Sequence, residues 1–280
     1  MISGGASARD RGYLARCAAA LLLTGCGAGL PLLHPAQTLP PGEVRAAAGM
    51  SASVAAGGLS DALRSATNEA AASAGGTGSG GADETYARGA LVAASVTPGL
   101  APLVGARVGL GSQFEAGLAY TGRSVRADAR RAFGLSQHWA LSVGAGGTAV
   151  LYGRQAGDVL PNVDLGQLHG WGADLPVLVG YESDGGLYMV WAGARGGWEH
   201  VDIGQVTSVP SGSAMPASVS LSATRFWAGG LLGVAAGFRH VHVALEIDIA
   251  YASVAGDYLG VHASVAGLAL TPAGCLWWDF

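Results

Sequence analysis

The sequence predicts an all-β fold, a single antiparallel up-and-down β-barrel of about 10 strands, with about 8 to 12 admissible. Three observations lead there. Half of the 280 residues are hydrophobic and the mean hydropathy is +0.36, yet no helical span can be drawn. The apolar residues recur with a period of two over most of the chain. The connections between the alternating segments are turn-rich and tend to alternate in length. An apolar chain whose segments alternate instead of running is what a transmembrane barrel produces, with one face of each strand toward lipid and the other toward the lumen.

The exclusion of helical spans is direct. The uncharged stretch 89–106 is interrupted by Pro98, Pro102 and several glycines. The apolar run 226–238 falls short of the roughly 20 residues a spanning helix needs. Charged residues are only 12% of the chain, glycine is 47 of 280, and every basic residue is arginine. The net charge of −4 gives no reason to expect nucleic acid as a partner.

Taken in order, strand 1 is expected over 42–57 and strand 2 over 101–110, with an earlier start near Ala90 admissible. Strands 3 and 4 follow at 113–122 and 123–134. In the first, Phe114, Ala116, Leu118 and Tyr120 alternate with Glu115, Gly117, Ala119 and Thr121. In the second, Val125, Ala127 and Ala129 alternate with Ser124, Arg126, Asp128 and Arg130. Strand 5 (138–153) sets Trp139, Leu141, Val143, Ala145, Ala149 and Leu151 on one face. Strand 6 (170–182) sets Leu175, Val177, Val179 and Tyr181 there, with Leu178 an apolar residue on the other face. Strand 7 (186–201) is apolar on both faces until Arg195, and strand 8 (218–236) slips phase near Arg225, for which a bulge is the simplest account. Strand 9 (239–254) is the cleanest. Val241, Val243, Leu245, Ile247, Ile249 and Tyr251 point one way and His242, Ala244, Glu246, Asp248 and Ala250 the other, a period that a helix would scatter. Strand 10 (260–280) is expected to bend at Pro272.

Long connections are expected at 58–100, 155–169 and 202–217, and short ones at Gly111-Ser112, 134–137, 182–185 and Gly237-Phe238, with the joins near Gly122-Arg123 and Gly256-Asp257 as exceptions. Residues 58–100 read as a long flexible loop containing a low-complexity Gly/Ser stretch at 75–81, although Asp61 to Ala74 has the pattern for a short amphipathic helix. Aromatic residues gather near segment ends, as the two interfaces of a membrane favour. An even strand number puts both ends of the barrel at one rim.

At the N-terminus, Arg9, Arg11 and Arg16 precede the short apolar core 17–23, the layout of a secretory signal. The run Leu23-Thr24-Gly25-Cys26 resembles a bacterial lipobox. That resemblance implies removal of 1–25 and lipidation of Cys26, and the absence of Asp after Cys26 favours the outer membrane. Residues 26–41 then read as a lipid-anchored, Pro-rich tether and 42–280 as the barrel domain. With Cys26 lipidated, Cys275 is left without a disulfide partner. The C-terminal Trp277-Trp278-Asp279-Phe280 resembles the assembly signal of bacterial outer-membrane barrels, with Trp278 and Phe280 as its bulky positions. Alternation and both termini together resemble that class broadly and name no member of it. The resemblance implies a Gram-negative outer membrane location, and outer-membrane lipid and the export, lipoprotein-processing and barrel-assembly machineries as partners.

The expected inward-facing charges are Arg107, Glu115, Arg126, Asp128, Arg130, Asp174, Glu182, Glu246 and Asp248. Buried charges are tolerated when paired, and this set carries both signs, so a salt-bridged interior is favoured over a catalytic lumen. His200, His240, His242 and His262 lack metal-ligand spacing. No nucleophile elbow, phosphate loop or dinucleotide fingerprint is present, so no catalytic, cofactor or metal site is expected. Three roles remain: a structural or adhesive surface barrel with a closed lumen, a narrow channel or transporter for a small solute, and a tethered soluble periplasmic barrel binding an apolar ligand. In the last, the apolar face would point inward. The oligomeric state is not encoded in any of these features.

Overall fold

The computed structural model describes residues 31–74, 83–153, 165–208 and 217–280. Ten antiparallel strands close into one barrel: β1 (Val44–Ala56), β2 (Gly99–Gly111), β3 (Phe114–Tyr120), β4 (Ser124–Gly134), β5 (Trp139–Val150), β6 (His169–Glu182), β7 (Tyr188–Ser208), β8 (Ala217–Phe238), β9 (Val241–Tyr258) and β10 (Val261–Asp279). Each strand pairs with its sequence neighbour, and β1 closes the ring by pairing β2 and β10 at once, with Ala47 opposite both Gly105 and Trp277. The chain end joins this seam, since Phe280 and Val44 exchange both backbone hydrogen bonds. Val44 and Asp279 therefore lie at one rim, hereafter the terminal rim.

The period of two decides which side chains face out, and the predicted faces hold. On β9, Val241, Val243, Leu245, Ile247, Ile249 and Tyr251 are exposed, while His242, Ala244, Glu246, Asp248 and Ala250 are buried inside. The apolar face is thus outermost, the reverse of what a soluble barrel with an apolar-lined ligand chamber requires. Two-residue turns at the terminal rim keep the register tight. At the β2–β3 turn Ser112 and Gln113 both have positive φ, 50° and 65°, the backbone whose twist matches adjoining strands. At the opposite rim the β9–β10 turn is Leu259-Gly260, beyond the expected Gly256-Asp257 join, because β9 runs on to Tyr258.

Several expectations are corrected. No bulge sits at Arg225: β8 pairs with β9 without interruption from Leu221 to Phe238, and Arg225 keeps its inward parity. The phase only looked broken because Leu221, Ala223 and Leu231 are apolar and also point inward. The register shifts lie elsewhere, between Gly109 and Gly111 and between Ile203 and Val206. β10 pairs along its whole length with β9, and Pro272, which has no N–H, interrupts only the ladder to β1 opposite Ala52 and Ser53. The connection expected at 202–217 is shortened, because β7 and β8 extend to Ser208 and from Ala217.

The described residues of 58–95 are mostly helical, not a flexible loop, and Ala90 belongs to a helix, not to an early β2. Helix α1 spans Gly58–Ala74 and α2 spans Glu84–Ser95; residues 75–82 lie outside the described residues. Helix α1 buries Leu59, Ala62, Ala66 and Ala70, a single stripe at helical spacing. Helix α2 is capped by Asp83, whose carboxylate accepts from the Thr85 N–H at 3.3 Å. It is buried almost all round, from Tyr86 to Ser95. The two helices touch at Gly89, where an added Cβ would stand 2.2 Å from that of Ala66. Both pack on inward residues of the far ends of β7 to β10, including Val201, Ile203, Leu221, Ala223, Val254 and Tyr258. The helices therefore fill the end of the lumen opposite the terminal rim.

The described part of the expected tether is also inside. Leu32, Leu33, Ala36 and Leu39 are buried, and the first three pack with Leu178, Met189, Trp191, Leu231, Ala244 and Trp277 on the inner wall. This explains why β7 is apolar on both faces: its inner Met189 and Trp191 cover this segment. Burial of four apolar side chains outweighs the freedom of a solvated linker. Residues 1–30, and with them the signal segment and Cys26, lie outside the described residues.

Candidate functional site

Between the N-terminal segment at the terminal rim and the helices at the other end lies a belt of charged side chains. The strands set their depth. Cross-strand partners on neighbouring strands bring alternate inward residues to one level, and glycine makes the room. An added Cβ on Gly146 would stand 2.3 Å from the Arg126 guanidinium, so only glycine lets that arginine lie flat across β5.

The belt is nearly continuous. Arg107 joins Glu115 and, through Nη2 at 2.5 Å, Asp128. Arg126 joins Asp128 and holds Asp174 in a fork, Nε to Oδ1 and Nη2 to Oδ2, both at 2.9 Å. Arg195 Nε donates to Asp174 Oδ2 at 2.9 Å and lies 4.0 Å from Asp248. Deeper toward the helices, Arg123 and Arg225 flank Glu199 at 3.1 and 3.5 Å. Arg123 also donates to the Ala94 carbonyl of α2 at 2.9 Å, tying the helices to the belt. At the terminal rim, Arg45 grips Asp279 at 2.6 and 2.9 Å and stacks 4.3 Å over the Trp277 ring.

All nine sequence-predicted charges thus lie on the inner side, but they do not form one group. Arg107, Glu115, Arg126, Asp128, Arg130, Asp174 and Asp248 belong to the belt. Glu246 is apart: among the described residues no guanidinium pairs with it, and its carboxylate accepts the N–H groups of Leu32 at 2.7 Å, Leu33 at 3.0 Å and the Trp191 ring at 2.8 Å. Glu182 stands half-buried at the terminal rim, lining a cavity of about 290 Å³ with Arg45, His242, Asp279 and the Pro35–Pro40 stretch. Sequence reasoning missed Arg45, Arg123, Arg195, Glu199 and Arg225. Parity counted from the neighbouring residues would have placed Arg195 and Arg225 inside, and the apolar inner residues beside them hid it.

The wall holds the N-terminal segment chiefly by its main chain. Glu115 Oε2 accepts the Leu39 N–H at 2.9 Å while its carboxylate also pairs with Arg130. Arg130 donates to the carbonyls of Pro35 and, at 2.8 Å, Gln37. The Gln37 amide reaches the carbonyls of His138, in the β4–β5 turn, and Gly180, in β6, at 3.1 and 3.2 Å. Burial first, and then the charges of Arg130, Arg107 and Arg126, hold the His34 imidazole well below its ordinary 6.5. Docking of this segment therefore favours the neutral ring. Its contribution is fully present above pH 6.5 and is lost as the pH falls from there toward the lower value of the docked ring. Hydrogen-exchange protection of the Leu32, Leu33 and Leu39 amides, corrected for intrinsic exchange, is expected to decline on acidification below pH 6.5 and to stay level in His34→Gln. Equal profiles in both proteins would dismiss the histidine as the cause.

A remaining internal space of about 40 Å³ is lined by Arg195, Arg225, Asp248, Ser53, Thr271 and Trp227. That is room for a solvent molecule or two, against the roughly 300 Å³ or more of ordinary small-molecule pockets. Trp278 and Phe280 both face outward at the terminal rim, Phe280 with 75% of its surface exposed.

No known family model matches the sequence, and no curated protein matches it. Among solved structures the chain is similar to Neisserial surface protein A at 12% identity and TM-score 0.31, covering 85% of this chain and 96% of that one. It is similar to the outer membrane protease OmpT from Escherichia coli at 8% and 0.41, covering 88% and 100%. It is similar to the Pseudomonas putida toluene transporter TodX at 9% and 0.28, covering 86% and 90%.

Proposed function

We propose that the chain is a barrel of a Gram-negative outer membrane, lipid-anchored through Cys26, that acts as a closed structural or adhesive surface element and not as an enzyme. The observation that carries this reading is the belt of exposed apolar side chains around the closed wall. On β9 it runs from Val241 to Tyr251, which at a strand tilt near 40° is about 25 Å, the height of the lipid-facing band of such barrels. Aromatic rings edge it on both sides. Near the terminal rim Trp139 meets Tyr181 edge-on at 5.4 Å and Tyr181 stacks on Tyr188 at 5.9 Å, and Trp171 meets Trp198 at 4.3 Å near the other. Beyond Tyr251 the outward residues of β9 turn small and polar, at Ser253, Ala255 and Asp257. In this reading the terminal rim is periplasmic, and Trp278 and Phe280 present the assembly signal there. Closure is supported by the lumen contents: main-chain segment, paired charges and helices in series.

Membrane fractionation with heat-modifiable gel mobility tests it. Wild type and Cys26→Ala are both expected in the detergent-requiring fraction, shifting on heating. Release of Cys26→Ala without detergent would replace the spanning barrel by a tethered soluble domain. In planar bilayers the wild type is expected to show no steady conductance, and steady unitary currents would instead establish the channel reading.

A further inference from the structure

We infer that the terminal-rim half of the lumen is a peptide-binding site, occupied in this structure by the chain's own residues 32–39 acting as an internal ligand. Its ligand class is an uncharged, apolar peptide segment with two consecutive free main-chain N–H groups. The inference concerns the lumen and does not depend on whether the wall spans a membrane.

Three observations converge. The charged groups that hold the segment are built into the wall and buried: Glu246, Glu115 and Arg130 have at most 4% of their surface exposed. They read main-chain atoms, not side chains. Glu246 takes two consecutive N–H groups, Glu115 takes a third, and Arg130 donates to two carbonyls. Main-chain groups are common to every peptide, so this recognition does not demand this sequence. Specificity comes from the apolar surface of Leu178, Met189, Trp191 and Trp277, which receives Leu32 and Leu33.

The second observation is the state of Glu246. Its hydrogen-bond partners are the two segment amides and the Trp191 N–H, and among the described residues no guanidinium is in salt-bridge contact with it, Arg195 acting on it only at longer range. The wall supplies one of these three donors, so a carboxylate buried this way loses two of them unless an occupant provides main-chain N–H groups. Glu115, by contrast, keeps Arg107 and Arg130 whatever occupies the lumen. Leu33 adopts the left-handed backbone, φ 49°, which turns the chain so that successive N–H groups converge on one carboxylate. A leucine in that conformation is strained, so the internal ligand is not the tightest the site can hold.

The third is access. The cavity of about 290 Å³ runs beside Pro35, Gln37, Thr38, Leu39 and Pro40 at the rim. The segment is therefore not walled in along its length, and a second peptide has a way in as the first leaves.

The test uses the full chain in detergent micelles with the internal ligand weakened by Leu32→Asp and Leu33→Asp, which sets carboxylates against Glu246. The probe is a fluorescein-labelled peptide of the sequence 32–40, followed by anisotropy. Saturable binding to this variant, and much weaker binding to wild type, is expected. N-methylation of the peptide at the positions of Leu32 and Leu33 removes both N–H groups and is expected to weaken binding by at least about 10-fold, as the loss of two charge-assisted hydrogen bonds requires. If the aspartates prevent folding, seen as loss of heat-modifiable mobility, the double serine variant takes their place. A folded variant that binds no peptide, or that binds the N-methylated peptide equally well, overturns the inference.

Discussion

Asp174→Ala is expected to lower the unfolding free energy of the barrel by about 3 kcal/mol, at the low end of what breaking a buried charge pair costs. Asp174 is the hinge of the belt: it accepts two hydrogen bonds from Arg126 and one from Arg195, each at 2.9 Å, and all three residues are buried. Alanine removes one negative charge and leaves two guanidiniums sharing what remains, Asp128 for Arg126 and the more distant Asp248 for Arg195. The native pairs themselves need not be strongly stabilising, because desolvation offsets much of their attraction. The penalty comes from the unbalanced charge. For that reason Asp174→Ala with Arg195→Ala is expected to cost less than the sum of the two single changes. Urea titrations in micelles, followed by tryptophan fluorescence, read both quantities. A single-mutant loss under about 0.5 kcal/mol would show that the belt relaxes around the gap.

Ile247→Arg is expected to destabilise the folded barrel in lipid by about 2 to 4 kcal/mol, the cost of a guanidinium at the middle of the lipid face. Ile247 lies centrally in the outward row Val241 to Tyr251 and touches no luminal group. At the outward end of the same strand, Ser253→Arg is expected to change stability little, since the interfacial cost falls to about 0 to 1 kcal/mol. The depth dependence is the diagnostic. On a water-exposed wall both substitutions would be near neutral, so equal, small effects in liposomes would count against membrane insertion while leaving the barrel intact.

These two experiments address the two faces of the same strands, and the faces differ in how far they could be read in advance. The outward row is set by lipid or solvent alone, so its chemistry is uniform and the period of two in β9 is visible residue by residue. The approximate strand number, most strand limits apart from the far end of β7, and the shared face of Glu115, Arg126, Asp174 and Glu246 follow from that local alternation. Local parity needs no knowledge of the rest of the chain.

The inward row answers to whatever fills the lumen, and that is supplied from far along the sequence. Met189 and Trp191 are apolar because residues 32–36 pack on them, and Leu221, Ala223 and Val254 because α1 and α2 do. Apolar on both faces, these stretches carry no periodic signal, so Arg195 and Arg225 were hidden within them. The Pro-containing 31–41 stretch reads locally as linker, and only a wall of buried acceptors and donors, Glu246, Glu115 and Arg130, makes it an internal ligand. By itself the sequence determined that strands form, about how many, and which residues of each share a face, because pleating and solvent act residue by residue. The tertiary structure alone decided that the apolar face turns outward, which segments fill the lumen, and which charges meet, because those outcomes depend on pairings between residues separated by tens to hundreds of positions.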